Sequence, residues 1–222
     1  MNVIIEKVDS EAPDTKVLEH AARLINKGEV VVCPTDTGYA FSANALNTRA
    51  IVKVFGLKGR SFNNPIHMAV SSIIEAEKYA QVSDIARQLA KRFLPGALTL
   101  VLPKKETIPS MLVAGMNTIG IRIPNERIML QLLAKVGKPL TTTSANISGR
   151  PTPYAVDEII NNMGDNIKGV AMILDRGQIS SRELSTIVDL TASPPQLIRQ
   201  GIVSWLEVRE IINRLQNEDE QI

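Results

Sequence analysis

Short apolar runs alternate along this chain with stretches in which apolar residues recur every three to four positions. The runs read as buried strands and the longer period as amphipathic helices. A first strand is predicted at 3–5, followed by a helix with Leu18, Ala21, Ala22 and Ile25 on one face. Asp14 or Thr15 can cap that helix and Gly28 ends it. The run at 30–33 suits one buried strand, and Pro34, which has no backbone donor, predicts that sheet pairing stops there. A strand at 39–43 comes next, then a helix capped by Asn47 with Ile51, Val54 and Phe55 inward. That helix delivers Lys58 and Arg60 near its C-terminal end, with Gly59 between them to let the backbone approach a ligand.

Pro65 opens a strand at 66–70, and Ser72 and Glu75 have the spacing of a capping box. Ser83 starts a helix with Ile85, Leu89 and Phe93 inward. Strands are predicted at 98–102 and 118–123; the second puts its isoleucines on one face and Thr118, Gly120 and Arg122 on the other. Asn125 is the expected cap of a helix through Leu130 and Leu133 that Gly137 stops. A strand at 140–143 exits through a loop at 144–149, and a short helix follows Tyr154. Strands at 170–174, 186–190 and 197–199 and a helix opened by Ser204 and Glu207 complete the pattern. The segment 175–184 is polar, and the tail 217–222 is expected to fray. Interleaving of this kind predicts an α/β fold with helices packed on a sheet. Without a linker-like tract or a repeat, 1–222 reads as one domain.

Composition narrows the function classes. A 222-residue chain with 44% hydrophobic residues and a mean hydropathy near zero fits a soluble globular protein. A formal charge of +2 is too small to announce a nucleic-acid binder. The one cysteine, Cys33, excludes an internal disulfide and is expected in the core, and with only His20 and His67 no metal site is expected. The N-terminus lacks a signal-peptide pattern and no apolar run has membrane-spanning length, so the chain reads as cytoplasmic with no membrane partner.

Neither usual phosphate loop is present, and there is no Gly-x-Ser-x-Gly elbow. Phosphate binding would therefore rest on scattered cations and hydroxyls. Lys58 offers a point charge, Arg60 a planar fork, and Ser144 and Asn146 donors to oxygens. A solvated helix end and an ordinary turn are the plain alternatives for these pairs. The stretch Pro34-Thr35-Asp36-Thr37-Gly38-Tyr39-Ala40, the Lys58-Gly59-Arg60 triplet and Ser144-Ala145-Asn146 occur in that order. Together they resemble the signatures of the YrdC-like family, the threonylcarbamoyl-AMP synthases, with the resemblance running from about 30 to 199.

The resemblance implies the short, single-domain form of a twisted, mixed, open sheet around a concave, positively charged cavity. It implies that Lys58, Arg60, Ser144 and Asn146 carry catalysis and, with Thr118 and Arg199, hold ATP, Arg199 closing over it. It places Thr35, His67, Arg122, Thr142 and Ser185 around L-threonine, although His67 reads equally well as a structural strand histidine. The implied reaction joins L-threonine, bicarbonate and ATP into threonylcarbamoyl-AMP and pyrophosphate, with Mg2+ travelling on ATP and tRNA threonylcarbamoyl-transfer proteins downstream. Two other readings fit the same signatures: an RNA-binding YrdC/YciO-like module without this catalysis, and a carbamoyl-adenylating domain with another acceptor. Lys91-Arg92, Lys104-Lys105 and Arg150 could give a weakly tRNA- or double-stranded-RNA-binding surface. The sequence departs from the family pattern at Gly38-Tyr39-Ala40, where Val-Tyr-Gly is usual, and at Gln200-Gly201 after Arg199, where Pro-Gly is usual.

Overall fold

The computed structural model describes residues 3–180 and 182–219. The chain runs β1 (Ile4–Lys7), α1 (Thr15–Asn26), β2 (Val31–Thr35), β3 (Gly38–Ser42), α2 (Thr48–Lys58) and β4 (His67–Ala69). It continues α3 (Ile73–Ala76), α4 (Asp84–Phe93), β5 (Leu98–Pro103), β6 (Thr118–Arg122), α5 (Arg127–Val136) and β7 (Leu140–Ser144). The last elements are α6 (Val156–Met163), a 3-10 segment (Gly164–Gly169), β8 (Met172–Asp175), β9 (Thr186–Asp189), β10 (Gln196–Arg199) and α7 (Trp205–Asp219). The strands form one open, ten-stranded mixed sheet in the order β1-β8-β2-β3-β7-β4-β6-β5-β9-β10.

Both faces of the sheet are covered. Val31 and Cys33 of β2 pack with Leu18 and Ile25 of α1 and Leu132 of α5, while Val32 points to the opposite core with Ile51, Phe55, Leu89 and Val208. Strand side chains alternate between faces, so β2 is apolar at every position that two helix layers cover. The face under α1 and α5 changes character toward one end of the strands. Cys33 is followed two residues on by Thr35, Ala69 is preceded by His67, and Leu140 is followed by Thr142 and Ser144. The period of two carries each strand's apolar face straight into a polar concavity beyond the helices.

Several local expectations change. Pairing does not stop at Pro34; it continues through Pro34↔Tyr39 to Thr35↔Gly38. The Tyr39 amide donates instead to Pro153 O, so the Pro34–Tyr39 pair asks no donor of the proline. The cap of α5 is Glu126, not Asn125: its carboxylate accepts from the Ile128 amide at 3.2 Å while its other oxygen pairs with Arg176. Ser72 caps α3, but Glu75 reaches back to the Ser71 amide and hydroxyl, and the helix is only four residues long. Residues 217–219 continue α7, and the rest of the predicted tail lies outside the described residues.

Candidate functional site

The polar concavity is a cavity of about 420 Å³, a size usual for small-ligand sites. Lys58, Arg60, Arg122, Arg150 and Arg199 stand on its wall, with no aspartate or glutamate among the described lining residues. Thr35, His67, Thr142, Ser144, Asn146 and Ser185 line it too. Thr118 does not; it shares the polar face of β6 with Arg122 but sits at the other end of the strand.

Lys58 arrives on the last turn of α2. Asn47 starts that helix by accepting from the Arg49 and Ala50 amides, and Gly59, at φ +55°, ends it in the left-handed conformation. Gly59 is thus a helix stop, and its Cβ position faces open space beyond its own chain neighbours. The Lys58 ammonium donates to Ser144 O at 2.6 Å, Asn146 Oδ1 at 2.9 Å and Asn146 O at 3.1 Å, with Ser144 Oγ at 3.4 Å. Burial first, and the charge of Arg60 second, push Lys58 down to about 7, although the oxygens around Nζ suit the ammonium. Ser144 Oγ donates to Asn146 Oδ1, and the Asn146 amide donates to Arg150 O and Pro151 O. The oxygens of both residues thus hold Lys58, while their donors tie Ser144 to Asn146 and Asn146 to the loop at Arg150 and Pro151.

Arg60 is fixed by its own loop, with Nε donating to Asn64 O at 3.2 Å and Nη2 to Pro65 O at 3.0 Å. Arg199 reaches back from β10 to donate to Ser185 O at 3.0 and 2.8 Å and to Ser185 Oγ at 3.0 Å. Ser185 Oγ also meets Thr99 Oγ1 at 3.1 Å. After Gln200, Gly201 packs its backbone against Leu184–Thr186: a Cβ there would lie 2.2 Å from Leu184 O. Burial lowers the pKa of both guanidinium groups, for Arg199 with a smaller contribution from Arg122.

The tight turn between β2 and β3 presents Asp36 and Thr37 to Arg122. Thr35 Oγ1 donates to Gly38 O at 2.7 Å and accepts from the Thr37 amide, which holds the turn. Gly38 has φ +127°, and a Cβ there would meet Thr152 at 2.7 Å, so a valine could not replace it without moving that loop. Arg122 is buried; it donates through Nη2 to Asp36 Oδ1 at 2.6 Å, through Nη1 to Thr37 Oγ1 at 2.5 Å and through Nε to Gly96 O at 3.0 Å. His67 of β4 sits directly opposite Thr142 of β7. Its ring lies over Gly120, where a Cβ would come within 2.6 Å of it. Burial first, then Arg199, Arg60 and Arg122, push His67 down to about 4, so the imidazole is neutral at pH 7.

The structure thus gathers ten of the eleven expected site residues and leaves Thr118 outside. Among the described residues no three of His, Cys, Asp and Glu cluster as metal ligands. Asp36, Thr37, Thr99, Gly120 and Gly201 were not among the expected site residues. The first two lay inside the quoted turn motif and Gly120 beside Arg122, whereas Thr99 sits within an ordinary strand run with no signal of its own.

A hydroxyl-rich cavity lined by cations at the strand ends of an open mixed sheet defines an α/β protein with a site suited to small polar, anionic ligands. The family model Sua5/YciO/YrdC, described as "Telomere recombination", matches residues 23–201, and the chain belongs to that family. A Methanocaldococcus jannaschii protein with the provisional name threonylcarbamoyl-AMP synthase is 42% identical over 87% of this chain and 90% of its own length. The threonylcarbamoyl-AMP synthase of Pyrococcus abyssi is 37% identical over 88% of this chain, which spans only 57% of that relative. The crystal structure of P. abyssi Sua5 complexed with L-threonine superposes with a TM-score of 0.89 at 36% identity, covering 95% of this chain and 61% of that one. Among the described residues no helix is long and apolar enough to cross a membrane.

Proposed function

We propose that this chain is an L-threonylcarbamoyladenylate synthase, a nucleotidyltransferase that forms threonylcarbamoyl-AMP and pyrophosphate from L-threonine, bicarbonate and ATP. The observation that carries this reading is the meeting of Lys58, Arg60 and Arg199 with the Arg122–His67–Thr142 group around one cavity. The relatives named as this synthase, and one bound to L-threonine, support it.

In this reading Arg122 grips the threonine carboxylate with its remaining N–H groups, and Thr35, Thr142 and Ser185 fix the polar groups. His67, held neutral, adds no charge against the ammonium. The threonine amine and bicarbonate give a carbamate with loss of water; a carbamate oxygen attacks the α-phosphorus and pyrophosphate leaves. Lys58 and Arg60 neutralise the phosphates, and Arg199 closes from the edge strand. No covalent enzyme intermediate is required, so the protein contributes positioning and charge neutralisation. Mg2+ enters as part of the ATP complex, and the adenylate passes to tRNA threonylcarbamoyl-transfer proteins.

Incubation with ATP, bicarbonate and single amino acids, with mass detection of adenylate and pyrophosphate, tests the reading. Product is expected only with L-threonine and bicarbonate together. Equal turnover with serine, or without an amino acid, would favour a different acceptor.

A further inference from the structure

The cations of the cavity differ in what they already hold. Lys58, Arg60 and Arg199 donate only to neutral oxygens, and among the described residues none of them pairs with a carboxylate. Arg122 alone has an acidic partner: Asp36 lies 2.6 Å from Nη2, with the Arg122 side chain 6% exposed and that of Asp36 19% exposed. A guanidinium carries five N–H donors. Three of those on Arg122 are committed to Asp36, Thr37 and Gly96, which leaves one on each terminal nitrogen. Asp36 does not line the cavity and stands behind the arginine.

The geometry points to Asp36 as the residue that makes the Arg122 end select a zwitterionic amino acid over a simple anion. This rests on threonine occupying that end. An uncompensated arginine in a poorly hydrated wall attracts any anion, phosphate included. With Asp36 behind it, Arg122 still offers a two-pronged fork to a carboxylate but brings little net charge. A ligand whose own ammonium balances its carboxylate then loses nothing, and the Asp36 charge favours the ammonium against the other cations of the wall. A carboxylate without an amine, or a phosphate, gains less there than at the Lys58–Arg60 end. The second oxygen of Asp36 has no partner among the described residues, so its charge is not spent elsewhere. Asp36 acts through Arg122 and is a positioning and specificity residue, not one that touches the reacting atoms.

The probes are L-threonine, (R)-3-hydroxybutanoate, which is threonine without its amine, and inorganic phosphate. Each is titrated calorimetrically into wild type, Asp36→Asn and Asp36→Glu, with ATP binding as a control for folding. Asparagine keeps an oxygen facing Nη2 and removes the charge. Expected is a fall of about tenfold in the preference for threonine over hydroxybutanoate in Asp36→Asn, with phosphate now competing against threonine. Glutamate should restore part of the preference, and ATP affinity should hold in all three. Equal weakening of threonine and hydroxybutanoate would mean that Asp36 merely holds Arg122 in place, and an unchanged ratio would show that the charge is idle; either overturns the proposal alone. Wild type that binds ATP but not threonine would overturn the proposal together with the functional reading beneath it.

Discussion

The cavity has two ends built on opposite electrostatic plans. At one end Lys58 and Arg60 sit among carbonyl and amide oxygens, and their charges are left for a ligand, while Arg199 reaches in from β10 onto Ser185. At the other, Arg122 is matched by Asp36, and the remaining walls are the hydroxyls of Thr35 and Thr142 and the neutral ring of His67. Buried cations without counter-charge are costly in a free protein: burial first, and Arg60 second, lower Lys58. That cost is what a polyanion relieves on binding. The difference teaches that a cavity basic by composition need not be uniformly basic, and that a turn of two residues decides where the compensation falls.

Removing Arg60 attacks the uncompensated end most strongly. Arg60→Ala loses a charge-assisted fork worth roughly 1.5–3 kcal/mol, so the ATP-dependent rate should fall about tenfold to hundredfold. Arg60→Lys should recover only part of it. Steady-state kinetics with threonine saturating checks this, and the melting temperature should barely move. The compensated end is broken more gently by Gly120→Ala, whose Cβ would press on the His67 ring. Threonine KM should rise about tenfold with ATP KM unchanged, since small misplacements at a positioning site are expensive. Adding His67→Ala should restore the melting temperature lost in the single variant.

The smallest effect is a pH dependence confined to ATP. Lys58 titrates near 7 in the free protein and is drawn back to the ammonium by phosphate. ATP affinity should therefore drop about fivefold between pH 7 and 8, with proton uptake on binding, while threonine affinity stays flat. In Arg60→Ala the drop should move to higher pH, because the charge that helps depress Lys58 is gone. The same shift has a stability consequence. Between about 7 and 10.5 the unfolded chain holds a proton on Lys58 that the folded chain has released, so the unliganded protein should gain stability as pH rises through that window.

Much of the fold could be read from the chain because its signals are local. Leu18, Ala21, Ala22 and Ile25 are buried as their spacing required, and Asn47 and Ser83 cap where expected. Pro34 was misread because a proline rule says nothing about which strand positions ask for a donor. The α5 cap moved to Glu126 because the ion pair with Arg176, fifty positions away, fixes that side chain. The site itself joins residues far apart in sequence, with Lys58 and Ser144 separated by 86 positions. No periodicity reports such a contact; the expectation came from family signatures. Thr118 shared its strand face with Arg122, but parity gives the face and not the distance along it. Gly120 shares that face too, and its missing Cβ makes room for the His67 ring from the next strand, which the sequence does not report.

Crossed calorimetry on the two arginines tests the two-ended cavity most directly: ATP and L-threonine are each titrated into Arg60→Ala and Arg122→Ala. Arg60→Ala is expected to lose ATP affinity and keep threonine, and Arg122→Ala to lose threonine and keep ATP, each loss on the order of tenfold or more. Loss of both ligands to a similar degree in both variants, or of neither, would contradict two separate ends.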